Sequence, residues 1–224
     1  MKNIYRIKDK SNLTSIQKLL LATNKLLKKE SIESITVAKI TDAANLGYGT
    51  FYKYFKSTED IFKEIFSQKI EVISSLIFEY NKKEEDKLYG FIRGHSLIFN
   101  YICDDESYKW LMRRPSYFVK VMEDNVKDHA LTDLQNAVSA NQISSEVFDN
   151  IKERLPLDLW LMVGALEEIS KGGNKETVCR SYLRYVVPQD LTPTEAEELI
   201  SRVFLNIEND LDSEIYNKDR VLSL

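Results

Sequence analysis

The sequence predicts an all-α fold, and three observations carry that expectation. Apolar residues recur at the three- and four-residue spacing of amphipathic helices along most of the chain. Helix breakers are scarce, with 7 Gly and 4 Pro in 224 residues and the prolines set apart at 115, 156, 188 and 193. Such spacing suits long helices better than a succession of hairpins. A hydrophobic content of 43% with 29% charged residues describes a globular chain with a well-solvated surface.

The elements follow in order. Leu13, Ile16, Leu19, Leu20, Thr23, Leu26 and Leu27 mark a first amphipathic helix, with Lys18, Lys25, Lys28 and Lys29 on its other faces. Ser31–Ser34 is a polar break. Thr36 is placed to cap a second, shorter helix that buries Val37, Ile40 and Ala44. Asn45-Leu46-Gly47 interrupts it, because Asn tolerates the left-handed backbone of a sharp turn and Gly is an acceptable next N-cap. A third helix is expected over Tyr48–Phe55. Ser57 and Asp60 form a capping-box-like start to a fourth, running to about Tyr80.

Beyond it the spacing predicts helices over Leu88–Ile102, Tyr108–Arg114 and Tyr117–Asn141, the last broken near His129. Ser145–Arg154 is expected to stop at Pro156, and Leu157–Lys171 to end at Gly172-Gly173. Lys175–Val187 ends before Pro188, and Thr192-Pro193 opens a final helix to Leu211.

Charge is divided unevenly. Residues 1–60 hold 11 Lys and Arg against 6 Asp and Glu, whereas residues 61–224 hold 20 against 29. A basic head on an acidic body is attracted to polyanions at one end only. The two cysteines, Cys103 and Cys179, form no CxxC and fit reduced thiols in a cytoplasmic protein. No signal-peptide core follows the basic start, and Leu157–Leu166 is too short to cross a bilayer, so no membrane association is expected.

Thr36–Tyr54 is the most informative stretch: a short helix, a tight turn and a shorter helix, braced by the helix before them. Such a pair lets its second helix enter a DNA major groove while the first crosses the backbone. Gly47, Tyr48, Gly49 and Thr50 form the leading end of that second helix, where small residues permit close approach and free N–H groups suit phosphate. Tyr52, Lys53, Tyr54 and Lys56 add hydroxyls and cations. Phe51 and Phe55, four apart, form the packing face.

The run Ile35 to Ile61 resembles the signature of the tetracycline-repressor (TetR) family, most specifically at Gly49-Thr50-Phe51-Tyr52-Lys53-Tyr54-Phe55, with Glu59 and Ile61 keeping register. With the supporting helix the resemblance covers about a quarter of the chain. Thr41 stands where the family usually has Ala, Asn45 and Gly47 replace Gly and Ser, and Thr58 replaces a Lys that helps grip phosphate.

The resemblance implies a helix-turn-helix DNA-binding domain over 1–56 and a helical ligand-binding and dimerisation domain over 57–224. It places Thr36, Tyr52, Tyr54 and Lys56 on phosphates, and Tyr48, Gly49, Thr50 and Lys53 at base edges of double-stranded DNA. Lys2, Arg6, Lys8 and Lys10 are either further backbone contacts or a solvated tail.

A short recognition helix reads few base pairs, so a homodimer on a palindromic operator is expected. The family plan puts dimerisation on Leu157–Lys171 and on the last helix, here through Leu199, Val203, Phe204 and Ile207. A small-molecule effector between body helices is also implied. Its expected pocket is drawn from Phe91, His95, Phe99, Trp110, Arg114, Phe118 and Trp160, aromatic walls with a few polar groups that equally describe an ordinary core.

Repression by occupancy, relieved by the effector, is the expected output; an activator, or a version controlled by a protein partner, is the alternative. No cofactor, metal ligand set or catalytic constellation is expected. The two histidines lie far apart, without HExxH, and Gly172-Gly173-Asn174-Lys175-Glu176-Thr177 lacks phosphate-loop spacing.

Overall fold

The structure, a computed structural model, describes residues 12–104 and 108–212. The basic residues Lys2, Arg6, Lys8 and Lys10 lie outside the described residues. Eleven α-helices run in order among those described, with no strand: α1 (Ser15–Leu27), α2 (Val37–Ala43), α3 (Tyr48–Phe51), α4 (Thr58–Asn81), α5 (Lys87–Asp104), α6 (Tyr108–Met112), α7 (Pro115–Asn125), α8 (Lys127–Ser139), α9 (Ser145–Ser170), α10 (Lys175–Val186) and α11 (Pro193–Asp212). Contacts divide the chain into two compact units, and the division falls inside α4, between Val72 and Ile73.

In the first unit, α1 starts on a full capping box. The Thr14 hydroxyl accepts from the Gln17 N–H, and the Gln17 side chain accepts from the Thr14 N–H. Its buried face, Leu19, Leu20 and Thr23, receives α2 and α3. Thr36 caps α2 as expected, accepting from the Lys39 N–H. Thr41 is buried and returns its hydroxyl to the carbonyls of Val37 and Ala38, so the hydroxyl is satisfied within its own helix.

The turn after α2 shows why Asn stands at position 45. Its φ is +52°, the Leu46 N–H reaches back to the Thr41 carbonyl, and the Asn45 N–H bonds the Asp42 carbonyl. That pair of bonds is a Schellman ending, which needs a left-handed residue at its pivot. The same ending recurs after α8 at Asn141 and after α9 at Gly172. After α9, a side chain at Gly173 would meet the Glu168 carbonyl oxygen at 2.9 Å.

In the second unit, α5 is buried nearly all round, from Leu88 to Ile102, which marks it as the central helix. α8, α10 and α11 pack on it, while α9 packs on α7, α8 and α10. The break in the long helix expected over Tyr117–Asn141 falls at Val126, where φ reaches −118°.

Pro156 does not end its helix: α9 continues from Ser145 through to Ser170. Ile151, Leu155, Leu159, Met162 and Leu166 form one buried stripe at helical spacing on both sides of the proline. Packing of that stripe outweighs the lost N–H. Cys179 is fully buried, and burial pushes both thiols up to about 12, so they stay protonated.

Because Asn45 holds a left-handed backbone, Asn45→Gly should leave the stability of the head within a few tenths of a kcal/mol of the parent. Asn45→Val should cost about 1–2 kcal/mol. Chemical denaturation followed by circular dichroism measures both, and equal effects would contradict this role for the turn.

Candidate nucleic-acid interface and ligand cavity

A helix as short as α3 cannot hold itself together in water. Two phenylalanines fix it from below: Phe51 is fully buried, Phe55 nearly so, and their rings lie 5.7 Å apart. The N–H groups of Tyr54 and Phe55 both bond the Phe51 carbonyl, tightening the exit from the helix. At the start of α4, Ser57 accepts from the Asp60 N–H, and Asp60 accepts from the Lys56 N–H. The chain from Gly47 to Asp60 is thereby held at both ends.

With the phenylalanines inward, the other side chains of this segment turn outward. Tyr48 is 56% exposed, Tyr52 and Tyr54 are exposed as well, and so are Gly47, Gly49, Lys53, Lys56 and the capping Thr36. Thr50 is half-buried. The Tyr48 and Tyr52 hydroxyls lie 3.1 Å apart, and this bond raises the Tyr52 phenol above its ordinary value. Nothing lies within 4 Å of the point where Gly49 would carry a side chain. Among the described residues, none would meet a side chain there. Lys39 is spent on Glu30, whereas Lys53 and Lys56 stand exposed beside the tyrosines. Hydroxyls, cations and a bare stretch of backbone on one rigid surface suit a phosphate-lined groove.

The body presents an apolar face and a cavity. On α9, Leu157, Trp160 and Leu161 are exposed and nothing described lies within 4 Å of where a side chain at Gly164 would stand, a stripe at i, i+3, i+4 and i+7 that no described residue covers. Tyr185 on α10 and Leu205 on α11, the latter 81% exposed, are further uncovered apolar side chains. Of the four α11 residues assigned to pairing from the sequence, Val203 is fully buried inside the protomer. Leu199, Phe204 and Ile207 are half-buried, with the Arg180 guanidinium 4.3 Å above the Phe204 ring.

The cavity, about 40 Å³, lies among α4, α5, α7, α8 and α9. Ile77, Phe78, Ile98, Met122, Leu155 and Met162 supply apolar wall, and Ser74, His95, Lys127, His129 and Asp133 supply polar groups. Phe91 and His95 were expected here from sequence, and both line it. Phe99 and Phe118 do not; they are spent in the core, Phe99 stacked on Tyr182 at 5.6 Å. Trp110 and Arg114 stack on each other at 4.2 Å away from the cavity, and Trp160 faces outward on α9. His129 was missed because only packing brings α8 to this point; its signal was that the chain has just two histidines.

Around the cavity the polar groups are tied to one another. Asn81 donates to Asp133 (3.0 Å) and to the Gly90 carbonyl, and accepts from Arg93, which also pairs with Glu84. Burial raises Asp133 to about 6 and Asp158 to about 6. Burial, helped by Arg154, drives His95 down to about 4, so its ring is neutral at physiological pH.

Residues 19–65 match the family described as bacterial regulatory proteins, tetR family. Among solved structures, the chain is similar to RolR in complex with its ligand resorcinol, with a TM-score of 0.70 at 19% identity over 84% of this chain and 93% of that one. RolR without ligand gives a TM-score of 0.69 at 19% identity, over 83% and 96%. No curated protein matches the chain in sequence. The matched residues hold α2, α3 and most of α1, so the head follows the helix-turn-helix pattern of that family, and the likeness to the two RolR structures shows the all-helical fold. No helix among the described residues is long and apolar enough to cross a membrane.

His95 gives this site a pH signature. Its folded value, about 4, lies below the ordinary 6.5, so unfolding takes up a proton there and stability falls as pH drops from 6.5 to 4. Asp133 and Asp158, raised from 3.8 to about 6, act in the opposite sense between those values. His95→Gln should therefore lose less stability than the parent on acidification from pH 6.5 to 4.5, as read by thermal melts. Parallel curves would contradict a buried neutral ring.

Proposed function

We propose that this protein is a homodimeric transcriptional repressor that grips a palindromic operator with two copies of α3 and releases it when a small molecule enters the body cavity. One observation carries the reading: Phe51 and Phe55 are buried beneath α3 and the turn after it, and Tyr48, Gly49, Tyr52, Lys53, Tyr54 and Lys56 are all exposed there.

Within that surface the residues divide by reach. Thr36, Tyr52, Tyr54 and Lys56 hold phosphates, with Gly47 letting the backbone come close, and Tyr48, Gly49, Thr50 and Lys53 meet base edges. The exposed stripe on α9, together with the outer face of α11, supplies the two-fold contact that spaces the heads over successive half-sites. An uncovered tryptophan and three uncovered leucines are the kind of surface that pairing buries.

Control by a ligand follows from α4. The first half of α4 belongs to the head unit and its second half carries Ser74, Ile77 and Phe78 into the cavity wall, so an occupant of the cavity would act on the helix that joins the two units. The resorcinol complex of RolR supports ligand control in a body of this fold. Occupancy of the promoter blocks polymerase without further machinery.

Two measurements test these assignments. Lys56→Ala should weaken binding to every duplex alike and lower the salt slope by about one unit, whereas Lys53→Ala should cost about 1–3 kcal/mol only on operators that keep its base. Titrations over operator variants and salt distinguish the two, and identical profiles would defeat this division of labour. Trp160→Glu with Leu161→Glu should turn a dimer into monomers in analytical ultracentrifugation and abolish tight operator binding. A parent protein that sediments as a monomer on its operator would rule out the paired arrangement.

A further inference from the structure

Tyr48 opens α3 and Tyr52 follows its last residue with near-helical angles, φ −71° and ψ −7°, so the two side chains stand one turn apart on the same side. Their rings lie 5.4 Å apart and their hydroxyls 3.1 Å apart, a hydrogen bond that either oxygen can donate. Tyr52 is further held by an edge contact with the buried Phe51, also at 5.4 Å. Both tyrosines are exposed, and among the described residues neither hydroxyl has a second partner.

The protons of this pair limit what it can recognise. Each phenol has one proton to give and lone pairs with which to accept. The mutual bond uses one of the two protons, so the pair can donate only once to anything else, and from one end only. In water either direction serves. Against DNA the partner decides. A phosphate oxygen only accepts, so a Tyr52 hydroxyl seated on one must donate to it. The Tyr52 phenol, held above its ordinary value of 10.0, carries that proton at neutral pH. Its oxygen then accepts from the Tyr48 hydroxyl, and Tyr48 is left with lone pairs alone.

Base edges divide on this property. In the major groove adenine and cytosine present an amino donor, whereas guanine presents only the acceptors O6 and N7, and thymine O4 and a methyl group. An acceptor-only Tyr48 against guanine or thymine sets lone pair against lone pair where water is excluded, which leaves both groups unsatisfied. Lys53, exposed beside Tyr52, only donates and has the opposite requirement, so it cannot stand in for Tyr48.

We propose that the two hydroxyls form a one-way relay, in which a phosphate under Tyr52 makes Tyr48 an obligate acceptor and each operator half-site carries adenine or cytosine beneath it. The assignment rests on the reading of α3 as the helix that contacts the operator, and it names the class of base selected there. Tyr52 touches no base and is a positioning residue for that selection. A lone tyrosine hydroxyl donates and accepts equally well and would favour neither class.

Selection of duplexes from a random library by the purified protein, followed by affinities for single-base variants, tests the relay. The parent should show one position per half-site where adenine or cytosine outbinds guanine or thymine about tenfold, and Tyr48→Phe should abolish that preference. Tyr52→Phe keeps the ring against Phe51 but frees the Tyr48 proton. It should bind every duplex about five- to tenfold more weakly, for want of the phosphate contact, and its preference at that position should fall below about twofold. With the unaltered protein, replacing the adenine by purine, or the cytosine by 2-pyrimidinone, removes the amino group. That change should weaken the parent about fivefold more than Tyr48→Phe, for which the weaker base pair is the whole effect. A Tyr52→Phe protein that loses affinity uniformly and keeps the preference overturns the relay. So does a Tyr48-dependent position that takes guanine or thymine, or an amino group whose removal affects both proteins alike. Each of these outcomes leaves operator binding by α3 in place. A parent that selects no duplex removes that reading, and the relay with it.

Discussion

The burial of Phe51 is the constraint on which the functional surface depends. A helix of four residues has too few internal bonds to persist, and α3 exists because its one buried side chain is locked against α1 and α2 while Phe55 closes the far end. With those two rings inward, Tyr48 on α3 and Tyr52, Lys53, Tyr54 and Lys56 in the turn that follows it are left exposed. The exposed pattern that the proposed operator contact uses is thus a consequence of packing. Gly49 is the exception, since no described residue comes within 4 Å of where its side chain would stand. Its bare backbone leaves room for the proposed operator to come close.

A second dependency runs along α4. The helix begins in the bonds that tie Lys56, Ser57 and Asp60 together and ends at Asn81, which binds Asp133, Gly90 and Arg93 at once. Its last three turns border the cavity, and its side-chain anchor at Asn81 is one hydrogen bond from the cavity's carboxylate. In the proposed regulator, an occupant of the cavity would meet the second half of α4, whose first half belongs to the head unit.

The head was legible in the sequence because its determinants are local. Thr36 as a cap, Asn45 as a left-handed pivot and the Phe51–Phe55 pair each act within a few residues of where they stand, and each is found in the structure as the spacing implied. The body was legible in its helices but not in its cavity, which draws on five helices that only tertiary packing brings together. Aromatic richness between residues 89 and 118 pointed to Phe91 and His95 and equally to Phe99 and Phe118, which fill the core. Pro156 misled for a related reason. Local rules stop a helix there, and the apolar stripe that carries α9 past it is visible only once its packing partners are known.

The claim that the exposed face of α3 reads DNA as a symmetric pair is tested most directly by hydroxyl-radical footprinting on duplexes selected from genomic DNA by the purified protein. The account predicts two protected patches related by a two-fold axis, with centres about one helical turn or a multiple of it apart, and their loss when Tyr48, Lys53 and Tyr54 are replaced together by alanine. Absence of any selected duplex, or protection that survives the triple replacement, would contradict it.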